Sequence, residues 1–375
     1  MSLLFPAPAQ PGDLLSTVDT PALLLDLDAT DANIAAFHGQ AAAAGLAVRA
    51  HGKAHRCPDL SLRQLAAGAA GICVQKVGEA EGFSRAGIDD ILVTNEFVDP
   101  AKCRRLAVLA RRPGLRLAVC VDAVLQVEHL AAACEEADSR IEVLIELDVG
   151  QRRCGVRDHE TAVALAAAIE RAAPRLALRG LQAYHGRAQH LRTAAERRAA
   201  VAAAAAQVRT CRDALERAGF AVREISGGGT GTFPNEAGLD LWTELQAGSY
   251  ALLDLDYRAN EIDPAAPGLR QALGVMAMVI SQCDSHAVLD GGLKSVAVDS
   301  GLPALRETGW RVSGLSDEHT VIEPLAGARP IALGERLVLD PGHCDPTVNL
   351  HDWIVAYRGD RVEAVWPVLP RSASR

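Results

Sequence analysis

The chain has 375 residues, 49% of them hydrophobic but only 4% aromatic, and a formal net charge of −9. An acidic balance without a basic stripe interleaved with aromatics argues against a nucleic-acid partner, and no run approaches the roughly 20 apolar residues that span a bilayer. The length exceeds one ordinary domain and suits an α/β barrel of about 250 residues with a smaller companion. Met1 to Val18 holds three prolines and no basic stretch leading into an apolar one, so no secretory signal is expected. Nine cysteines, an odd number without CxxC spacing, point to reduced thiols in a cytoplasmic protein.

The apolar run 22–27 opens the patterned part of the chain. Thr30 or Asp31 can cap a helix through Asn33, Ile34 and Phe37 to Ala44, with Gly45 as its stop. Eight strand patterns follow, at 46–51, 71–75, 90–94, 116–122, 141–148, 176–185, 222–226 and 244–249. Between most of them lie Ala/Leu/Arg/Glu segments of helix length, at 58–67, 79–86, 100–110, 123–137, 160–172 and 193–218. Eight β-then-α units predict a (β/α)8 TIM-type barrel, since parallel strands need crossover helices; a doubly wound sheet would share the periodicity. From about residue 260 the texture changes to strand-like runs at 273–282, 287–289, 320–323, 336–339, 353–357 and 361–366, with no helical pattern. The predicted organisation is therefore α/β: a barrel over 28–260 and a C-terminal β-rich domain over 261–375, joined by 1–27.

In such a barrel the chemistry sits at the C-terminal strand ends. That rule selects Lys53 after the first barrel strand, Gln75 at the second, Asn95 and Glu96 after the third, and Asp122 and Asp148 at the next two. Tyr184 and His185 end the sixth, Ser226 and the glycines the seventh, and Gly248, Ser249 and Tyr250 the eighth.

Lys53 sits in Arg49-Ala50-His51-Gly52-Lys53-Ala54-His55-Arg56. If the strand continues that far, its period of two puts His51 and Lys53 on one face. Cationic neighbours and partial desolvation both disfavour an ammonium, so the Lys53 pKa is expected to fall. A neutral amine is what a Schiff-base lysine offers an aldehyde; a surface lysine ending a strand has the same local sequence. Ser226-Gly227-Gly228-Gly229-Thr230-Gly231 offers N–H groups with no Cβ in the way, which can cradle an anion. It lacks the P-loop lysine and, with Thr232 and Pro234, fails the GxGxxG spacing. Its place after the seventh strand suits phosphate, although a flexible turn would read the same. On an extended backbone His343 and Asp345 share a face and Cys344 points away. An imidazole beside a carboxylate suits a harder divalent ion such as Mn²⁺ or Mg²⁺, and it is also an ordinary strand-end pair.

Together the His-x-Lys-x-His setting, the Gly-Gly-Gly-Thr-Gly loop, Gln182-Ala183-Tyr184-His185-Gly186, Glu244 to Tyr250 and His343-Cys344-Asp345 resemble one family. It is the D-threonine aldolase group of the alanine-racemase-like (fold type III) pyridoxal-phosphate enzymes, alongside D-serine dehydratases and 3-hydroxy-D-aspartate aldolases. The resemblance runs from Thr20 to Trp366. It implies that Lys53 binds pyridoxal 5'-phosphate covalently, with Gln75 and Tyr184 lining the cofactor. Gly228, Gly229, Thr230, Gly248 and Ser249 would hold its phosphate, with Tyr250 beside them, and His343 and Asp345 would ligate the metal. It also implies a homodimer in which the β domain of one subunit closes the barrel mouth of the other.

The activity so implied is cleavage of a D-β-hydroxy amino acid to glycine and an aldehyde, glyoxylate if the substrate is 3-hydroxy-D-aspartate. His190, or else His185, would be the base; either can equally be a hydrogen-bonded structural histidine. The resembling dehydratases carry a cysteine two residues after the metal-binding histidine. Here Asp345 stands in that place, which favours carbon–carbon cleavage over dehydration. A non-catalytic pyridoxal-phosphate-binding protein would not need the metal pair, and a racemase has no use for a metal on the β-oxygen. Arg152, Arg153 and Arg258 could serve a second substrate carboxylate, or be solvated arginines.

Overall fold

The computed structural model describes residues 6–306 and 309–375; residues 1–5, expected in the β-rich part, and 307–308 lie outside the described residues. Strand β1 (Ala22–Asp26) leads directly into a helix, Leu27–Ala43. That helix starts earlier than the sequence predicts, because Asp26 rather than Thr30 or Asp31 caps it, its carboxylate accepting from Ala29 N at 3.0 Å. Gly45 follows its end in the left-handed conformation, φ +72°.

Eight parallel strands then close a barrel: β2 (Ala47–His51), β3 (Gly71–Val74), β4 (Asp90–Val93), β5 (Arg116–Val121), β6 (Ile141–Glu146), β7 (Leu176–Ala183), β8 (Glu224–Gly227) and β9 (Glu244–Leu245). Alternation along them builds two layers. Cys73, Leu92, Ala118, Cys120 and Leu144 form a separate buried cluster inside the barrel. Their neighbours, such as Ile91 and Val93, join the main core against the crossover helices. Near the N-terminal strand ends the barrel is plugged by charge: Arg49 bonds Glu244 at 2.8 Å and Asp90 at 2.5 Å, and Arg179 bonds Glu224 at 2.6 Å. This end carries stability, leaving the opposite rim for chemistry.

The remaining strands are β10 (Leu273–Gln282), β11 (Ala287–Leu289), β12 (Ala304–Leu305), β13 (Trp310–Leu315), β14 (Thr320–Pro324), β15 (Arg336–Asp340), β16 (Trp353–Arg358) and β17 (Arg361–Pro367). With β1 they form one nine-stranded sheet, in the order β13-β14-β11-β10-β1-β16-β17, while β15 pairs with β10 and β12. The opening run 22–27 thus serves this sheet, in line with its position before the barrel count. Strand β13 escapes sequence reading because a register shift between Val312 and Gly314 breaks its alternation. No helix among the described residues is long and apolar enough to cross a membrane.

Candidate active site

At the C-terminal rim of the barrel a small cleft is lined by Lys53, Tyr184, His190, Gly229, Thr230, Gly248, Ser249, His343 and Asp345, among others. Seven of these come from the barrel half of the sequence or the turn after β9. His343 and Asp345 come from the short helix-start between β15 and β16.

Lys53 is not on a strand. Strand β2 ends at His51, and Gly52–Ala54 is a single 3-10 turn. The strand-parity argument therefore fails, yet both His51 and Lys53 reach the cleft. The expected fall in the Lys53 pKa is also corrected. Burial opposes its charge, but Asp345, whose Oδ2 lies 3.7 Å from Nζ, and Tyr184 outweigh that, and the pKa is raised. His51, buried and close to the Lys53 charge, is instead held well below the ordinary histidine range.

His343 and Asp345 do not lie on one extended strand either. His343 is extended and caps a helix, Cys344–Val348, so Asp345 already belongs to its first turn. Both still face the cleft, while Cys344 is wholly buried, its N–H donating to Asp254 Oδ2 at 2.9 Å. His343 Nδ1 lies 2.6 Å from Asp299 Oδ2, which leaves Nε2 for another partner. Burial opposes charge on His343, but the Asp299 bond and the Asp345 charge win and raise its pKa. A second correction concerns the subunits. The chain that supplies Lys53 also supplies His343 and Asp345, with no partner needed to bring them together.

The glycine loop is built to approach a ligand. Among the described residues the N–H groups of Gly229, Thr230, Gly248 and Ser249 have no hydrogen-bond partner, and Thr230 Oγ1 is buried and likewise unpartnered. Four converging donors suit a phosphate group. Gly228 stands at φ +68°, and a Cβ there would come within 2.9 Å of Leu245. A Cβ on Gly248 would lie 3.0 Å from Ala54 Cβ and 3.1 Å from His51 O, so only glycine lets the two rim turns meet. Behind the loop Gln189 accepts from Gly231 N at 2.9 Å and donates to Thr232 Oγ1 at 2.8 Å.

Not every expected residue lines the cleft. Tyr250 is fully buried, stacked on Phe37 with centroids 4.5 Å apart. Its hydroxyl meets His38 Nε2 at 2.8 Å and accepts from Gln64 at 3.0 Å. In the 3-10 turn Ser249–Ala251 successive side chains diverge by about 120°, so Ser249 faces the cleft and Tyr250 the core. Gln75 stands one layer back, 3.1 Å from His51 Nε2 and bonded to Thr94 Oγ1 at 2.8 Å. His185 is half-buried against Gly150 rather than in the cleft, whereas His190 lines it, bonded through Nδ1 to Asp256. Arg258 is paired with Asp340 at 3.6 Å.

Sequence reasoning missed Tyr257, Gln246, Asp254 and Asp299. Tyr257 lines the cleft and Gln246 lies on its floor, bonded to Ser226 Oγ at 2.8 Å. Asp254 accepts from Tyr257 N at 3.0 Å, an N-cap signature readable in the sequence, but its bond to Cys344 N was not.

The donor sets therefore fit both groups implied by the resemblance: phosphate-sized backbone donors beside a lysine, and an imidazole with a carboxylate for a divalent ion. The family described as alanine racemase, N-terminal domain, matches residues 25–254, and the putative serine dehydratase domain matches 272–357. A D-threonine aldolase of Arthrobacter sp is 45% identical, over 100% of this chain and 98% of that one. A 3-hydroxy-D-aspartate aldolase of Paracoccus denitrificans is 43% identical over 97% and 95%. The crystal structure of D-threonine aldolase from Filomicrobium marinum superposes with a TM-score of 0.95 at 40% identity, over 98% of this chain and 100% of that one. The chain belongs to the alanine-racemase-like barrel family, within its group of D-threonine and 3-hydroxy-D-aspartate aldolases.

Proposed function

We propose that the protein is a pyridoxal-phosphate- and divalent-metal-dependent aldolase that cleaves D-β-hydroxy amino acids of the D-threonine type to glycine and an aldehyde. The observation that carries this is the meeting of Lys53 with Asp345 and His343 at one cleft of one chain. In this reading Lys53 binds the cofactor and the N–H groups of Gly229, Thr230, Gly248 and Ser249 hold its phosphate, with Gly228 shaping the loop. Tyr184 flanks the ring, and Gln75 acts through His51. His343 and Asp345 hold the metal, a nitrogen and oxygen set that suits Mn²⁺ or Mg²⁺. When bound, pyridoxal phosphate supplies an electron sink and the metal a Lewis acid.

The rest falls to side chains. His190, fixed through Nδ1 by Asp256, offers its other nitrogen to the β-hydroxyl and takes that proton. The Cα–Cβ bond then breaks, an aldehyde leaves, and Cα is protonated to give glycine. Tyr184 and Tyr257, whose pKa values burial raises, stay protonated and can donate hydrogen bonds to the substrate.

Arg153 favours a second substrate within the same chemistry. Its charge bears on both Lys53 and Tyr184, and its contact with Glu146 Oε1 is long at 3.6 Å, so the further carboxylate of 3-hydroxy-D-aspartate would compete for it. A D-serine or 3-hydroxyaspartate dehydratase is disfavoured, since Asp345 rather than a thiolate faces the cleft beside His343. The same proposal divides the chain into a barrel, 28–260, and a β-rich unit, 1–27 plus 261–375. Nine unpaired cysteines support a reducing, cytoplasmic setting. A homodimer belongs to the same reading.

Metal removal tests the proposal. Chelator-treated protein is expected to lose glycine formation from D-threonine while keeping its cofactor absorbance, and Mn²⁺ to restore the rate. A full rate after chelation would sink the metal-dependent reading.

A further inference from the structure

A second cluster of ligand-type side chains stands on the barrel rim over β4 to β6, outside the cleft. Glu96 follows β4, Asp122 follows β5 and Cys154 lies in the turn after β6. One oxygen from each carboxylate and the Cys154 sulfur all lie within 4.8 Å of one another. That span is close to two metal–ligand bonds laid end to end, about 4–4.6 Å. Asp122 is held in place, Oδ1 accepting from Gln126 at 2.7 Å and Oδ2 from Gly155 N at 2.9 Å.

An independent feature points to a ligand. Glu146, at the end of β6, has a side chain only 4% exposed, and its carboxyl meets that of Glu96. Its Oε2 is buried with no hydrogen-bond partner, and Glu96 Oε1 is buried in the same state. Two facing carboxyl groups with open oxygens, Glu146 buried and Glu96 half-buried, with Asp122 and Cys154 alongside, repel unless a shared proton or a cation sits among them. Arg153 approaches from one side, 3.6 Å from Glu146 Oε1.

We propose that Glu96, Asp122 and Cys154, backed by Glu146, form a second divalent-cation site, separate from the His343–Asp345 pair and selective for a thiophilic ion such as Zn²⁺. The sulfur sets the preference: three hard oxygens alone would suit Mn²⁺ or Mg²⁺, whereas a thiolate selects a softer ion. Burial pushes the Cys154 thiol up to about 12, so at neutral pH it stays protonated until an ion enters and its proton passes to solvent.

Cadmium is the probe, because a Cd²⁺–thiolate bond absorbs in the ultraviolet. Cd²⁺ titrated into the full-length protein is expected to give that band with one equivalent, with Zn²⁺ competing it away and equal Mn²⁺ leaving it. Cys154→Ser should abolish the band, and Glu96→Gln should weaken binding at least about 10-fold, both with wild-type circular dichroism. Asp345→Ala and Cys283→Ser should keep it, which separates this site from the cleft and from the exposed thiol. A band that survives in Cys154→Ser, or its absence from the wild-type protein, overturns the proposal.

Discussion

Asp345 lies beside Lys53, and the buried thiol one residue before it donates to Asp345 Oδ1 at 3.3 Å, while the Cys344 N–H is held by Asp254. Two substitutions separate their roles. Asp345→Ala is expected to lower the rate of carbon–carbon cleavage roughly 100-fold or more, the scale expected when a metal loses a ligand, while cofactor absorbance is retained. Cys344→Ser, which leaves a hydroxyl to donate to Asp345 Oδ1 in place of the buried thiol, should leave the initial rate within about threefold. The reverse ranking in an initial-rate assay would mean that sulfur, not oxygen, serves the ion. The rim rule made Lys53, Tyr184 and the His343–Asp345 pair legible in the sequence, because strand ends can be counted. Side-chain direction was not legible where the backbone leaves the strand. Tyr250 sits in a tight 3-10 turn, and one residue of rotation there sends its side chain into the core.

The turn after β8 shows what supports a ligand loop from behind. Its glycines lean on the helix Phe233–Ala237, whose Glu236 is fully enclosed and accepts from Thr232 Oγ1 at 2.7 Å. Burial pushes the Glu236 carboxyl up to about 7, and its second oxygen has no partner. The folded state therefore holds this proton more tightly than the unfolded chain. The stabilisation is complete below the ordinary glutamate range and is lost as pH rises from there to about 7. Glu236→Gln keeps the shape without the titration. In cofactor-free protein it should be the more stable form at pH 8, by roughly 2–3 kcal/mol at most, with the advantage vanishing at pH 4. Denaturant melts at the two pH values check this, and a pH-independent difference would refute it. The sequence exposed the loop itself, since glycines after a strand are a local signal. Glu236 and Gln189, which hold the loop through contacts across tens of residues, carry no such signal.

At the scale of the whole molecule, two patterns of hydrophobic spacing announced a barrel and a β-rich sheet, and both are present. What spacing could not say is how the two meet. β1 leaves the sheet straight into the first helix, and the turn between β15 and β16 lays His343 and Asp345 over the barrel mouth of the same chain. Asp254, at the end of the barrel half, ties that turn down through Cys344 N. This arrangement suits breaking a carbon–carbon bond rather than removing water. The most direct measurement is product analysis with D-threonine, 3-hydroxy-D-aspartate and D-serine on the cofactor- and Mn²⁺-loaded protein. The expected products are glycine and the matching aldehyde, in equal amounts, from at least one of the first two, and none from D-serine. Ammonia and a keto acid in their place would contradict carbon–carbon cleavage.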